Sequence, residues 1–269
     1  MSKINEKQVT SENLKEFKGR SLAEETARRL MKNKGAIVGM CFLILLIIVA
    51  IASEFIFDFD TDIILVQAEN SFAPPSAQHI FGCDQSGRDI FARILYGARY
   101  SLIIGIGSVS IGLFFGLILG SLAGFYGGFI DNLVMRANDI LYSIPNIMIA
   151  VVVVSIFGTS TASLLFSLSI SAASSFSRIT RAAVMQVRGM EYIESAYAMG
   201  LPTWKVIMRH IIPNCLSPII VQVTLAVGNN IISASSLSFL GVGIPVPLPE
   251  WGAMLAEGRN YIRSAPWMC

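Results

Sequence analysis

The sequence predicts an all-α fold, a polytopic membrane helix bundle, on three observations. Of 269 residues, 54% are hydrophobic and only 14% are charged, whereas soluble domains carry about a quarter charged residues. The charge is unevenly placed: 14 charged residues fall in the first 34 positions, and another 14 are spread over the 170 from Tyr100 to Cys269. Several stretches are apolar for the about 20 residues that a helix needs to cross a hydrocarbon core. Together these describe a polar head on an integral membrane body. A net charge of +2 leaves no basic surface for nucleic acid. Cys41, Cys83, Cys215 and Cys269 lie far apart, with neither a disulfide framework nor metal-ligand spacing.

Taken in order, residues 1–34 form the head, with nine Lys/Arg and five acids. Residues 35–99 supply a first span, Ala36 to Ser53, and an external segment. That span lies too far along the chain, and lacks the small-residue site, to be a cleaved signal peptide. Residues 100–269 form the main transmembrane core. Tyr100 to Ile130 is 31 residues without a charge and Ile140 to Ser177 is 38; the latter as one helix would run about 57 Å. A turn at Gly158-Thr159-Ser160 is therefore expected to divide it. A fifth span lies between Pro213/Pro218 and the proline-rich run ending at Pro249. Lys and Arg accumulate in cytoplasmic loops, which puts the head and the stretch Arg178 to His210 inside. Four crossings must then separate them, and that parity also requires the turn at Gly158.

Three constellations stand out. Gly112, Gly116, Gly120 and Gly124, with Ser108 one step earlier, lie on one helix face where another helix can approach closely. They read either as packing within one subunit or as a dimer seam or sliding surface. Asn229, Asn230 and Ser233 fall inside the fifth span, where polar groups face a bundle interior or a water-filled path. They read either as a translocation path or as hydrogen-bonded glue. His79 and His210 lack ligand-spaced partners and read as surface or capping residues. The segment Glu191 to Asn214 reads as a helix, a left-handed Gly200, a stop at Pro202, and a second helix capped by Thr203 that runs to Pro213.

This last segment carries a resemblance. Glu194-Ser195-Ala196, Gly200 six positions after the Glu, and Ile212-Pro213 resemble the coupling motif of ATP-binding-cassette (ABC) importer permeases, with Ser195 in place of the usual Ala. The stretch from His79 to Arg93, then Tyr96 to Leu102, is similar to the segment entering the second span of C-type subunits of dipeptide, oligopeptide and nickel permeases. Cys83 stands there for a common Thr. Ser238 to Pro245, Pro249 to Gly252 and Ala265-Pro266-Trp267 resemble the fifth-span end and external loop of the same subunits.

The resemblance implies a type I ABC importer permease fold in the cell membrane, with the N-terminus cytoplasmic and peptides as cargo. It implies a second permease subunit, so that a heterodimer forms the pore, together with two ATP-binding subunits and an external substrate-binding protein. It implies no cofactor, ATP being bound by the partners; the sequence itself lacks any Gly-Lys pair of a phosphate loop. It places Glu194, Ser195, Ala196, Gly200 and Pro213 against the ATPase. A nickel or other small-solute importer of the same family is the alternative, and an ion-coupled carrier a more distant one. No paired carboxylates or nucleophile–base pair point to an enzyme. Related subunits have six spans, so five ending at Ala265-Pro266-Trp267 imply a chain truncated before its sixth helix.

Overall fold

The computed structural model describes residues 34–269; the predicted head, except Lys34, lies outside the described residues. Internal contacts divide the chain into Met1–Ile48 and Val49–Cys269. The boundary falls inside the first helix, α1 (Lys34–Ile56). In α1, Val38, Phe42, Leu45 and Ile48 are exposed, which is the pattern of a helix with lipid as its solvent.

Within the larger unit, Asp58 caps a π-helical turn, Phe59–Ile64, by accepting from the Asp60 and Thr61 amides. Asp89 then caps α2 (Ile90–Tyr126) by accepting from the Ala92 amide at 2.9 Å. With 37 residues, α2 is about 55 Å long. It begins ten residues before the predicted span and ends earlier, at Gly127 (φ +66°). Residues 128–130 belong instead to α3 (Gly128–Ser143). Ile144 precedes Pro145 and takes the extended conformation that proline imposes, so α3 stops there. Helix α4 (Asn146–Phe157) follows at a 90° bend. The predicted third span is therefore broken: α4 alone, with 12 residues, reaches about 18 Å, short of an approximately 30 Å core.

Gly158, at φ +81°, ends α4, and Ser160 caps α5 (Thr161–Arg188) by accepting from the Ser163 amide. The chain turns where the sequence required it to. After α6 (Glu191–Ala198) come α7 (Thr203–Val206), a π turn at Ile207–Ile211, and α8 (Ile212–Phe239), running as one helix from Thr203 to Phe239. The expected stop at Pro213 does not occur. Pro213 has no N–H to donate and its ring crowds the Arg209 carbonyl, and the preceding turn widens so that the Ile212 amide reaches Ile207 O. The cap position is Pro202 rather than Thr203. Helix α9 (Trp251–Gly258) follows the proline-rich run.

Among the described residues, three helices are long and apolar enough to cross a membrane, or four if the bent pair α3–α4 counts as one span. Five were expected. The difference lies in α5, which has the length, 28 residues, but is rich in serine. Its hydroxyls turn inward: Ser163, Ser167, Ser169, Ser174 and Ser177 are all buried. Three apolar clusters stack along the bundle. One gathers Ile104, Ala150, Leu164, Leu168, Ala234 and Leu237, one Val109, Ala172, Phe176 and Ala226, and one Val184, Val187, Ile193, Ala196, Val206 and Ile211. The last joins α6 to the end of α5.

Candidate coupling and translocation sites

In α6 the inner face is Ile193 and Ala196, each 1% exposed and packed with Val184, Val187 and Val206. One position on from each lies the outer face, with Glu194 and Tyr197 exposed. Ser195 is exposed too, its hydroxyl donating to Glu191 O at 3.0 Å. Gly200 sits at φ +76° just past the helix. Its amide reaches Tyr197 O at 2.8 Å and the Leu201 amide reaches Ala196 O at 3.3 Å, the bond pair of a Schellman end. The turn presents Met199, 73% exposed, and Trp204, 64% exposed, beside Glu194. Pro213 lies at the start of α8, beyond the widened turn. Three of the five predicted coupling residues, Glu194, Ser195 and Gly200, thus share one surface-facing turn, Ala196 is its anchor, and Pro213 lies apart from it.

The glycine row lies against α5. A Cβ built on Gly112 would stand 2.5 Å from Ala172 Cβ, one on Gly120 2.5 Å from Ser177 O, and one on Gly124 2.7 Å from Arg181 O; on Gly116 it would overlap Phe176. Helices α2 and α5 therefore touch backbone to backbone along four turns. In α8, Asn230 Nδ2 donates to Ser108 Oγ at 2.8 Å, joining two candidate residues across α8 and α2. Asn229 is exposed and Ser233 half-buried on the same helix, so the predicted polar group is split between an interhelical bond and the surface.

His79 Nδ1 stands 2.7 Å from Asp89 Oδ2, against the cap of α2. Cys83 is fully buried, and its thiol is pushed up to about 11 by that burial, then by the Asp89 and Asp84 charges.

Sequence reasoning missed one feature. Asp84, Arg88 and Arg93 are nearly fully buried. Arg88 Nε donates to Asp84 Oδ2 at 2.7 Å, Arg93 pairs with the same oxygen, and both arginines lie 3.5 Å from the Glu257 carboxylate. Arg93 also donates to Pro247 O at 3.1 Å. Two acids and two bases thus tie the loop before α2 to α9. Around them, Trp251 Nε1 donates to Ile94 O, Trp267 Nε1 to Cys83 O, and buried Glu250 accepts from Ser235 and the Ala253 amide. The signal was available: in a charge-poor chain, Asp84 and Arg88 are four apart, and their partner had to come from another loop.

With this geometry in place, comparison with known proteins gives the class. The family model of the binding-protein-dependent transport system inner membrane component matches residues 90–266, and that of the N-terminal TM domain of oligopeptide transport permease C matches residues 21–75. The chain belongs to the binding-protein-dependent permease family, the membrane component of ABC importers.

Among relatives, it is 42% identical to the dipeptide transport system permease protein DppC of Alkalihalophilus pseudofirmus over 243 residues, covering 90% of this chain and 79% of that protein. It is 40% identical to the glutathione transport system permease protein GsiD of Pectobacterium atrosepticum over 245 residues, covering 89% and 79%. It is 35% identical to DppC of Bacillus subtilis over 247 residues, covering 92% and 77%. Among solved structures, an inward-facing MetNI methionine ABC transporter matches with a TM-score of 0.56 at 17% identity, covering 65% of this chain and 84% of that one. The last likeness bears on the fold alone.

Proposed function

We propose that the chain is one permease subunit of an ATP-driven importer of di- or oligopeptides. It forms the pore with a second permease subunit, takes its energy from two ATP-binding subunits, and receives cargo from an external binding protein. ATP is bound by the partners and no chemistry is catalysed here. The N-terminus and the α6 turn face the cytoplasm; residues 58–89 and α9 face outward. One observation carries the coupling assignment: α6 is fixed from behind by Ile193 and Ala196 and exposes Glu194, and the turn and α7 that follow expose Met199 and Trp204. This is a rigid knob with an exposed apolar-and-acidic face, suited to a cleft in another protein. The names of the dipeptide and glutathione permeases support peptide cargo.

The test is uptake of labelled dipeptides by the chain with its natural partner subunits, run against nickel. Peptide uptake that stops on ATP depletion is the expected result; nickel uptake alone, or dependence on an ion gradient, overturns the reading. Gly200→Asp tests the coupling turn. It should abolish uptake while membrane insertion persists, and normal substrate-stimulated ATPase in that variant would sink the assignment.

A further inference from the structure

Helix α5 has two neighbours held in opposite ways. Against α2 the contact is a glycine seam with no room for a Cβ. Against α3 it is polar. The sole buried residue of α3 is Asn138, which donates to Ser177 Oγ at 3.1 Å and accepts from Ser174 at 2.9 Å. Two turns before Asn138, Asp131 is gripped by two nitrogens of Arg181, and at the next position after it Asp139 Oδ1 accepts from Arg178 at 2.8 Å, the guanidinium stacking 4.0 Å over the Tyr142 ring. The large apolar side chains of α3 point elsewhere: Phe129, Leu133 and Ile140 are 81%, 60% and 66% exposed. Both ends of α3 are sharp changes of chain direction. Gly127 and Gly128 have φ of +66° and +54°, and a Cβ at Gly128 would meet nothing within 4 Å. The other end is the bend at Ile144-Pro145.

We propose that α3 is a hinged latch: it swings away from α5 about Gly127–Gly128 and Ile144-Pro145 during the transport cycle, breaking the Asp131–Arg181, Asn138–Ser174/Ser177 and Asp139–Arg178 contacts and remaking them. Physics favours this element over its neighbours. Parting α2 from α5 opens a void along a dry seam, and packed cores resist that. Parting α3 from α5 exchanges polar contacts for water. Arg178 and Asp139 are already 42% and 53% exposed, so that end of the ladder is not sealed inside the bundle, and charged groups at such an edge favour a water-filled path over lipid. Helix α5 leads through Gly189-Met190 into α6, so the latch lies one helix away from the coupling turn.

The proposal rests on the importer reading for its role, but it has a test that does not. In a background without the native cysteines, Asn138→Cys with Ser177→Cys is oxidised to bridge the two helices within the complete importer. The locked form should lose at least about tenfold of its uptake, restored by reductant. Equal uptake with the bridge complete and with it reduced overturns the latch, whereas no uptake by the cysteine-free parent with Asn138 and Ser177 intact counts against the importer reading. For the latch alone, Ser177→Cys is introduced into the native chain, where Ser177 is 0% and Cys215 1% exposed. An opening latch makes the introduced thiol react with a maleimide at least about tenfold faster than Cys215; equal rates overturn it. Asp131→Asn should speed that labelling, and Asp131→Arg with Arg181→Asp should return it to the native rate.

Discussion

Replacing Gly112 by Ala adds one methyl group at the α2–α5 seam. Its Cβ would stand 2.5 Å from Ala172 Cβ and 2.9 Å from the Ala173 amide. Carbon atoms rest at about 3.5–4.0 Å, so the helices must part by about 1 Å or shift along each other. Overpacking of this kind costs about 1–3 kcal/mol. Gly228, in α8, is the internal control, since a Cβ there meets nothing within 4 Å. Gly228→Ala therefore gains only helix propensity, up to about 1 kcal/mol. The two changes are chemically identical and should have opposite signs. Thermal unfolding of the purified chain in detergent reads both, at roughly 2–4 °C for each kcal/mol. Gly112→Ala should lower the midpoint and Gly228→Ala hold or raise it. Equal shifts, or a stabilised Gly112→Ala, would refute the claim that the glycines set the distance between α2 and α5.

The other predictions concern separate regions. Glu257→Ala strips a carboxylate from Arg88 and Arg93 and leaves buried positive charge behind; it should cost about 3–5 kcal/mol, read by the same melts, while Glu257→Gln should cost less. Cys83, held near 11, should resist maleimide at pH 7.5 in the native protein and react on unfolding. The folded thiol keeps its proton beyond the pH at which the unfolded thiol loses it, near 9.0. The burial it reflects therefore favours the fold fully below about pH 9 and progressively less as pH rises toward 11, which an alkaline titration of the melting midpoint checks. Asn230→Ala removes the bond to Ser108 and should cost only about 0.6 kcal/mol. Asn229→Leu should leave the melt unchanged but reduce uptake, and unchanged uptake would remove Asn229 from the translocation path.

Punctuation residues were legible in the sequence wherever their effect is local. Gly200 takes positive φ where the sequence called for a left-handed residue, and Gly158 does so where it called for a turn, because a glycine past a helix end acts within its own few residues. Pro213 was misread because its effect depends on context. Inside a helix that runs from Thr203 to Phe239, the cost of its missing amide is absorbed by a π turn that composition does not reveal. The split of Ile140 to Ser177 at Gly158 was found, but a second break was not foreseen: parity counts crossings and is blind to a 90° bend at Ile144-Pro145. The glycine row was visible as a stripe, yet its partner was not, since Ala172, Phe176 and Ser177 lie more than fifty positions away. The buried Asp84–Arg88–Arg93–Glu257 cluster was legible in part: Asp84 and Arg88 stand four apart in a charge-poor chain, but Glu257, 164 positions from Arg93, could not be matched to them.

That cluster also has a place in time. Arg93 meets Glu257 across a separation of 164 residues. At synthesis rates of about 5–20 residues per second, Arg88 and Arg93 leave the ribosome roughly 8–33 s before their second carboxylate exists. During that interval Asp84 is the one carboxylate of the cluster facing the two guanidinium groups. The cluster is thus completed only when Glu257 emerges, and a chain arrested before it would leave two guanidinium groups to share the single carboxylate of Asp84.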